Sequence, residues 1–189
     1  MHLTAKIFYL IGPSGSGKDT ILNHLKKTRY FNAQPQVAHR YITRATRAKD
    51  ENHIELSVPD FKQRKQAGLF LFDWQSHGCQ YAIGAEVKLW RDSGQHVIVN
   101  GSREYLPCAR EIYPDLVPVW VSVTDDTIRK RLIGRGRESD QEITVRMQRN
   151  QILENMVEKD GFVLNNDRTV EAAIMQLQLV VENVSAPHV

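Results

Sequence analysis

The sequence predicts an α/β fold in which helices cover both faces of a central parallel sheet of five strands. Apolar, strand-like runs alternate with helical patterns along the 189 residues, as in βαβ units around a parallel sheet. The predicted strands are Ile7–Ile11, Gln36–Ile42, His96–Asn100, Leu116–Val123 and Phe162–Leu164. The predicted helices are Asp19–Thr28, Arg103–Ile112, Asp125–Gly134, Gln141–Glu158 and Thr169–Asn183. In such a fold we expect the ligand at the carboxyl ends of the strands.

A glycine-rich loop joins the first strand to the first helix and is the second observation behind this fold. It reads Gly12-Pro13-Ser14-Gly15-Ser16-Gly17-Lys18, which meets the G-x-x-x-x-G-K spacing of a phosphate-binding P-loop. Glycines let backbone N–H groups turn towards anionic oxygens, and the following helix N-terminus adds partial positive charge. Lys18 reaches the outer phosphates. We therefore expect the three-layer fold of the P-loop NTPases.

The residue after the P-loop lysine departs from the usual pattern. A P-loop normally has Ser or Thr there to bind Mg²⁺, but this chain has Asp19, followed by Thr20. Thr20 lies about 100° further round the helix, so it does not simply replace the missing hydroxyl. Two interpretations stay open: Asp19 takes an anionic role near Mg²⁺, or it is a first-turn acid that complements the helix dipole.

Two segments interrupt the alternation of strands and helices. Residues 44–84 hold short extended pieces around a helix that starts near Pro59, which predicts a small substrate-binding insert with antiparallel strands. Residues 134–140 are rich in glycine and charge and lie between two helices, which predicts a mobile lid. We expect one domain over residues 1–189, with a core of 1–43, 85–133 and 141–185.

Composition and charge narrow the functional classes. A net charge of +3 and 41% hydrophobic residues suit a globular protein with an anionic small-molecule substrate and do not require nucleic acid. Cys79 and Cys108 lack metal-ligand spacing, and a disulfide scaffold is not expected. The first strand begins near Met1, and no apolar run approaches the ~20 residues of a membrane span. We therefore expect a cytoplasmic protein; its oligomeric state stays open.

Two sets of arginines predict where anions bind. Arg40, Arg44 and Arg47 lie in and after the second predicted strand, and guanidinium groups bind phosphate oxygens bidentately. Surface ion pairs with Asp50 and Glu51 are the alternative. The second set lies on and beside the lid: Arg131, Arg135, Arg137, Arg146 and Arg149. Cations that close over a transferring phosphoryl group stabilise its charge and exclude water, whereas a charged, solvated loop is the alternative.

The order of these features resembles the guanylate kinase family over nearly the whole chain. The matching segments are the P-loop, Thr43-Arg44-x-x-Arg47, Gly78-x-x-Tyr81, Arg131-Leu132-x-x-Arg135-Gly136 with Glu138-Ser139, and Val163-Leu164-Asn165-Asn166-Asp167. The resemblance implies that Arg44, Arg47 and Tyr81 bind the phosphate of the acceptor. It also implies that Arg131 belongs to the ATP site and that Asn166 lies where the family contacts adenine.

The positions that read guanine in guanylate kinases are changed here. The chain has Arg40 for a serine, Phe72 for a glutamate, Ile83 for a serine and Ser102 for an aspartate. A shift of one residue in this comparison would put Asp73 in place of Phe72. A site built to hydrogen-bond a group discriminates by factors as large as ~10⁴, so losing these acceptors disfavours a guanine nucleotide.

A closer resemblance is to the ribose 1,5-bisphosphate phosphokinases of phosphonate catabolism. The shared segments are the Gly-Lys-Asp end of the P-loop, Ala38-His39-Arg40-Tyr41-Ile42-Thr43-Arg44, Glu51-Asn52-His53-Ile54 and Val99-Asn100-Gly101-Ser102-Arg103. The resemblance implies transfer from ATP to the 1-phosphate of ribose 1,5-bisphosphate, giving ADP and 5-phosphoribosyl 1-diphosphate (PRPP), with Mg²⁺ as cofactor. Arg40, Ser102 and Arg103 would then bind the doubly phosphorylated sugar.

No general base is expected, because the acceptor phosphate is already an anion and catalysis rests on positioning and charge stabilisation. We expect Lys18, Arg135, Arg137 and Arg146 at the transition state. Relative to guanylate kinases, Asn100 replaces the aspartate that usually faces the Mg²⁺ shell, while Asp19 adds a carboxylate beside it.

Two other functions stay open. One is a guanylate kinase with atypical base recognition. The other is a non-catalytic guanylate-kinase-like module that binds phosphoproteins, although such a module has no use for an intact P-loop lysine or a lid of arginines.

Overall fold

The computed structural model describes residues 5–31, 34–44, 52–76, 78–136, 139–156 and 161–185. In chain order, its elements are β1 (Ile7–Ile11), α1 (Lys18–Lys27), β2 (Gln36–Val37), β3 (Arg40–Ile42), β4 (His53–Glu55), α2 (Val58–Gln66), β5 (Phe70–Ser76), β6 (Cys79–Gly84), α3 (Glu86–Asp92), β7 (Val97–Asn100), α4 (Leu106–Ile112), β8 (Val117–Ser122), α5 (Asp125–Arg135), α6 (Asp140–Met156), β9 (Phe162–Asn165) and α7 (Val170–Ser185).

A central sheet of five parallel strands organises the molecule. Its order is β2-β7-β1-β8-β9, and each neighbouring pair is parallel. The carboxyl ends of β1, β7, β8 and β9 therefore open on one edge of the sheet. The segments that follow these strands, including the P-loop after β1, meet at that edge. The predicted α/β three-layer architecture with a five-stranded parallel sheet is confirmed.

Both faces of this sheet are covered, so every residue of β1 is buried. Alternate side chains of a strand point to opposite faces. On one face, Phe8 packs in a cluster with Leu22 of α1 and Leu177 of α7. On the other face, Tyr9 packs in a cluster with Leu106 of α4. The two cores hold β1, and with it the start of the P-loop, in a rigid position.

A second sheet has four strands in the order β4-β3-β6-β5. β6 pairs antiparallel with β3 and β5, whereas β4 runs parallel to β3. The antiparallel pairing predicted for this region is confirmed for β5 and β6. α2 follows β4 and packs Phe61 against Phe70 of β5, with ring centroids 4.7 Å apart.

The prediction of one continuous strand over Gln36–Ile42 was wrong. β2 belongs to the central sheet, whereas β3 pairs only within the second sheet among the described strands. The chain changes sheets at Ala38, whose carbonyl accepts a hydrogen bond from the side chain of Asn52 (2.9 Å). The Arg40 N–H then donates to the Asn52 carbonyl (3.2 Å). Asn52, a buried residue from a later segment, thus binds the Ala38 carbonyl and the Arg40 N–H at the point where the chain passes from one sheet to the other.

One helix of the structure, α3, was not predicted from the sequence. The expected lid at 134–140 corresponds to the joint between α5 and α6: Gly136 ends α5 in a left-handed conformation (φ 58°), and Ser139 caps α6 through Glu142. Among the described residues, no helix combines the length and apolar character needed to cross a membrane.

Candidate active site

The P-loop folds around the ammonium group of its own lysine. Lys18 Nζ donates to the carbonyls of Gly12 (2.9 Å) and Pro13 (3.0 Å) and to Ser16 Oγ (3.1 Å). Gly17 precedes α1 with a φ of 89°, and a Cβ there would lie 2.5 Å from Asn166 Nδ2. Only glycine fits both the conformation and the space, so the loop places its N–H groups and Lys18 at the start of α1.

Two predicted ATP-site residues brace the loop from behind. Asn166 Nδ2 donates to the Ser16 carbonyl (2.7 Å), and Arg131 Nη1 donates to the same oxygen (3.3 Å). Arg131 Nη2 also donates to the Asn166 carbonyl (2.7 Å). α5 and the end of β9 are thereby tied to the P-loop, beside the edge where the predicted nucleotide would lie.

A cavity of about 480 Å³ opens in front of the P-loop. Six basic side chains line it: Lys18, Arg40, Arg44, Arg103, Arg146 and Arg149. Three acidic side chains line it as well: Asp19, Glu104 and Glu142. The excess of positive charge in one cleft concentrates anions there. A depression of about 530 Å³ beside α2 lies away from the strand ends and lacks this concentration of charge.

Arg40 is held at the P-loop end of the cavity by Asp19. Its Nη2 donates to Asp19 Oδ1 (3.0 Å), and its side chain is only 15% exposed. Asn100 Nδ2 donates to the same Asp19 oxygen (3.0 Å). Asp19, the residue after the P-loop lysine, therefore joins the first turn of α1 to β3 and to the end of β7.

Further along the second sheet, Arg44 and Tyr81 face the same cavity. Trp74 stacks on Tyr81, with ring centroids 5.7 Å apart and planes 7° apart. Trp74 packs against the core and also lines the cavity. The stacked pair supplies a rigid aromatic surface beside the arginines.

The segment after β7 is positioned by a buried tyrosine. The Ser102 N–H donates to Tyr9 Oη (3.0 Å), and Tyr9 Oη donates to the Ser102 carbonyl (3.3 Å). A Cβ at Gly101 would overlap the Tyr9 ring. Burial raises the pKa of Tyr9 well above its usual range, so the hydroxyl stays neutral. Ser102 and Arg103 are thus directed into the cavity by a hydrogen bond from inside the core.

α6 brings an arginine and an asparagine over the P-loop. Arg146 Nη1 donates to Ser14 Oγ (3.0 Å). Asn150, one turn later on the same helix face, is 4% exposed; its Oδ1 accepts from the Ser14 N–H (3.2 Å) and from Arg103 Nη2 (3.0 Å). Asn150 Nδ2 donates to the Ser14 carbonyl (3.3 Å). α6 is therefore hydrogen-bonded both to the P-loop and to Arg103.

The structure brings most of the predicted site residues to this cavity. Those that line it are Gly12, Ser14, Gly15, Gly17, Lys18, Asp19, Arg40, Arg44, Tyr81, Ser102, Arg103 and Arg146. Pro13 and Ser16 bind Lys18 from within the loop, whereas Thr20 is exposed on α1. Arg47 and Arg137 lie outside the described residues, as does the side chain of Arg135.

Several lining residues were not predicted as site residues. They are Ile42, Trp74, Ser76, Cys79, Gly101, Glu104, Leu132, Glu142 and Asn150. Arg149, which the sequence analysis named in the second arginine set, lines the cavity as well. The spacing of Asn150 to Arg146 places both on one face of α6, because positions four residues apart share a helix face, but that spacing does not reveal which groups Asn150 binds. Ser76 and Cys79 carry no such signal, since they reach the cavity through pairing within the second sheet.

The donor set suits a magnesium ion held together with phosphates. Among the described residues, no group of three or more His, Cys, Asp or Glu side chains is placed to hold a metal ion by itself. Beside the Asp19 carboxylate, however, the buried Oδ1 of Asn100 has no hydrogen-bond partner. Mg²⁺ prefers oxygen ligands and usually takes one or two protein carboxylates plus phosphates and waters. Asp19 and Asn100 fit that requirement.

Comparison with known proteins agrees with this architecture. The guanylate kinase family model matches residues 4–184. The structure is similar to the crystal structure of guanylate kinase from Anaplasma phagocytophilum, with a TM-score of 0.75 at 15% identity, covering 96% of this chain and 87% of that chain. At this identity the likeness concerns the fold alone.

Curated relatives are more similar in sequence. The chain is 44% identical over 174 residues to "Ribose 1,5-bisphosphate phosphokinase PhnN" of Pectobacterium atrosepticum, which covers 92% of each protein. It is 44% identical to the protein of the same name from Yersinia pestis, covering 92% of this chain and 90% of the relative. By the family model and by these identities, the chain belongs to the guanylate kinase family and, within it, to the ribose 1,5-bisphosphate phosphokinases.

Proposed function

We propose that this protein transfers the γ-phosphoryl group of ATP to ribose 1,5-bisphosphate and releases ADP and PRPP. The observation that carries the proposal is the cavity in front of the P-loop, where six basic side chains surround a space of about 480 Å³. The names of the relatives support the choice of acceptor. A cytoplasmic location, small-molecule substrates and a role in phosphonate catabolism are part of the same proposal.

On the donor side, the P-loop backbone and Lys18 hold the ATP phosphates. Lys18 exchanges its contacts with the Gly12 and Pro13 carbonyls for phosphate oxygens. Arg146, at 3.0 Å from Ser14 Oγ, stabilises charge on the γ-phosphate, with Arg135 and Arg137 of the lid in the same role. Asp19 and Asn100 would hold Mg²⁺, which neutralises charge between the β- and γ-phosphates when bound.

On the acceptor side, Arg44, Arg47 and Tyr81 bind the 1-phosphate of the sugar. An oxygen of this phosphate attacks the γ-phosphorus, and the bond from that phosphorus to the β,γ-bridging oxygen breaks. The electron pair leaves with ADP, and no proton has to move, because the attacking oxygen is already anionic. Arg40, Ser102 and Arg103 bind the remainder of the sugar bisphosphate. The insert at 44–84 then carries acceptor specificity, and the lid at 134–140 excludes water.

The positions that would read guanine favour this acceptor over GMP. Phe72 is 1% exposed and packs edge-on against Tyr9, with ring centroids 6.0 Å apart. Ile83 is fully buried. The neighbouring carboxylate of Asp73 forms an ion pair with Lys65 of α2. Of these three side chains, none lines the cavity, so a guanine edge would lack the carboxylate acceptor that these positions supply in guanylate kinases.

Direct competition between the two acceptors tests the proposal. The protein is incubated with ATP and Mg²⁺ and either ribose 1,5-bisphosphate or GMP, and the products are followed by phosphorus NMR. We expect the diphosphate resonances of PRPP to grow with those of ADP, and GMP to be converted at least 100-fold more slowly. Faster turnover of GMP would replace the proposal with a guanylate kinase. Turnover of neither acceptor by folded protein would indicate a non-catalytic module.

A further inference from the structure

We propose that Arg149 binds the 5-phosphate of the sugar and thereby distinguishes a sugar bisphosphate from a sugar monophosphate. This inference rests on the proposed function and adds a specificity residue to it. Arg149 lies on α6 and lines the cavity. We expect its loss to weaken sugar binding rather than ATP binding or the chemical step.

The hydrogen bonds of Arg149 go to other groups than those of Arg103 and Arg146. Arg146 contacts Ser14, and Arg103 is linked to Ser14 through Asn150, so both are connected to the P-loop. Arg149 Nη2 instead donates to Glu104 (3.1 and 3.3 Å) and to Ser76 Oγ at the end of β5 (3.5 Å). Its guanidinium therefore spans from α6 towards the second sheet and the segment after β7.

A sugar bisphosphate presents two anionic ends with a ribose ring between them. If the 1-phosphate meets the γ-phosphate of ATP at the P-loop, the 5-phosphate has to be neutralised farther along the cavity. Arg149 stands among polar groups that line the cavity, Ser76 and Glu104. A planar guanidinium is well suited to a phosphate because it forms two parallel hydrogen bonds with it.

Glu104 forms an ion pair with the guanidinium of Arg149, which is the group that the 5-phosphate would bind. Its side chain is 48% exposed and that of Arg149 is 35% exposed, and ion pairs at this exposure are weak because water screens them. A phosphate carries more charge than a carboxylate and forms stronger hydrogen bonds with arginine. Entry of the 5-phosphate therefore displaces Glu104 from Arg149, and the carboxylate turns to solvent.

Kinetics with three ligands test the inference. For Arg149→Met we measure the KM of ribose 1,5-bisphosphate and the inhibition constants of ribose 5-phosphate and ribose 1-phosphate as competitors of it. We expect the KM of ribose 1,5-bisphosphate and the inhibition constant of ribose 5-phosphate to rise together by about 10- to 100-fold, the usual contribution of a charge-assisted hydrogen bond. The inhibition constant of ribose 1-phosphate and kcat at saturation should stay unchanged. An equal rise for all three ligands, or a loss confined to kcat, would overturn the inference.

Two further variants control for folding and for general charge. Arg149→Lys keeps the charge but not the planar fork, and it should recover part of the lost affinity. Arg129→Met removes an exposed arginine of α5 that does not line the cavity, and it should change none of the constants. If Arg129→Met has the same effect as Arg149→Met, net charge rather than a specific contact explains the result, and the inference is wrong.

Glu104→Gln tests the displacement step. Removing the competing carboxylate should lower the KM of ribose 1,5-bisphosphate severalfold and leave that of ATP unchanged. A rise in the sugar KM would mean that Glu104 orients Arg149 for the phosphate, and displacement would be wrong. Absence of PRPP formation by the unaltered protein would instead refute the proposed function, which keeps the two failures apart.

Discussion

The P-loop holds its lysine with oxygens from its own few residues, whereas the arginines across the cavity are held by partners from distant elements. Lys18 bonds to Gly12, Pro13 and Ser16, all within six positions of it. Arg40 bonds to Asp19, 21 positions away, and Arg103 bonds to Asn150, 47 positions away. We call the P-loop with Lys18 the donor wall, and the arginines across the cavity with their partners the acceptor wall. The donor wall is a local structure, whereas the acceptor wall forms only once the chain has folded.

This difference separates chemistry from specificity. A local loop with glycines at fixed conformations can be carried on many sheets and can serve many acceptors. The acceptor wall depends on how the second sheet, the β7 segment and α6 meet, so its substitutions change which molecule is phosphorylated. We expect donor-wall variants to lose rate for every acceptor and acceptor-wall variants to lose affinity for one.

The largest expected effect is at the donor wall. Lys18→Ala removes the cation that we propose neutralises the transferring phosphate, and we expect kcat to fall by at least 10²–10³-fold, as for loss of one transition-state donor. The unfolding temperature should change little, because Lys18 contacts the loop and no core side chain in the bonds described above. Lys62→Ala, at an exposed position of α2, is the matched control. Normal turnover by Lys18→Ala would remove the P-loop from the mechanism.

Asp19 gives a sharper test, because it belongs to both walls. Its carboxylate pairs with Arg40 and also accepts from Asn100. We expect Asp19→Ala to raise the Mg²⁺ concentration for half-maximal rate by about tenfold or more, the usual cost of losing a charged ligand. The KM for the sugar should rise less.

Arg40→Met separates the two roles of Asp19. It leaves the carboxylate in place while removing its arginine, so the Mg²⁺ requirement should stay near normal and the sugar KM should rise. If both variants raise the sugar KM alike and leave the Mg²⁺ requirement unchanged, Asp19 serves only to hold Arg40, and its assignment to the metal is discarded.

The same difference explains what the sequence could and could not predict. β1, the P-loop and α1 were predicted because apolar runs, glycine spacing and helix periodicity are local signals. The hydrogen bonds of Asn150 were missed because their partner, Ser14, lies 136 positions away, although helical spacing places Asn150 on the same face as Arg146. The break between β2 and β3 was missed because the apolar pattern continues through it, while the cause, Asn52, comes from a later segment. Long-range hydrogen bonds of buried amides leave no periodic trace in a sequence.

Family resemblance recovered part of the acceptor wall that local patterns could not. Tyr81, Ser102 and Arg103 were named from matching segments, whereas Arg40 and Arg44 had already been predicted from their charge, and all five line the cavity. Arg131 and Asn166 were named in the same way, and their contacts lie on the P-loop backbone at Ser16. A resemblance therefore identifies which residues gather at a site, while the bonds that each one makes there require the structure.

The smallest expected effect lies behind the donor wall, at Asp167. Its Oδ1 accepts from the Thr124 N–H (2.9 Å) and from Thr124 Oγ1 (2.8 Å), which ties the loop after β9 to the start of α5. The Thr124 N–H is the main cause that lowers the pKa of Asp167 to about 2. A carboxylate with a lowered pKa stabilises the folded state above its unfolded pKa, and that contribution is lost as pH falls from about 4 towards 2.

Asp167→Asn should therefore lower the unfolding temperature at pH 7 by about 1–3 °C, since Asp167 is partly exposed and water screens its charge. The difference from the unaltered protein should shrink as thermal scans are repeated from pH 5 down to pH 3. Glu111→Gln, at an exposed position of α4, should show no such shrinking difference. A constant difference across this range would mean that the charge of the Asp167 carboxylate does not stabilise the link between the loop after β9 and α5.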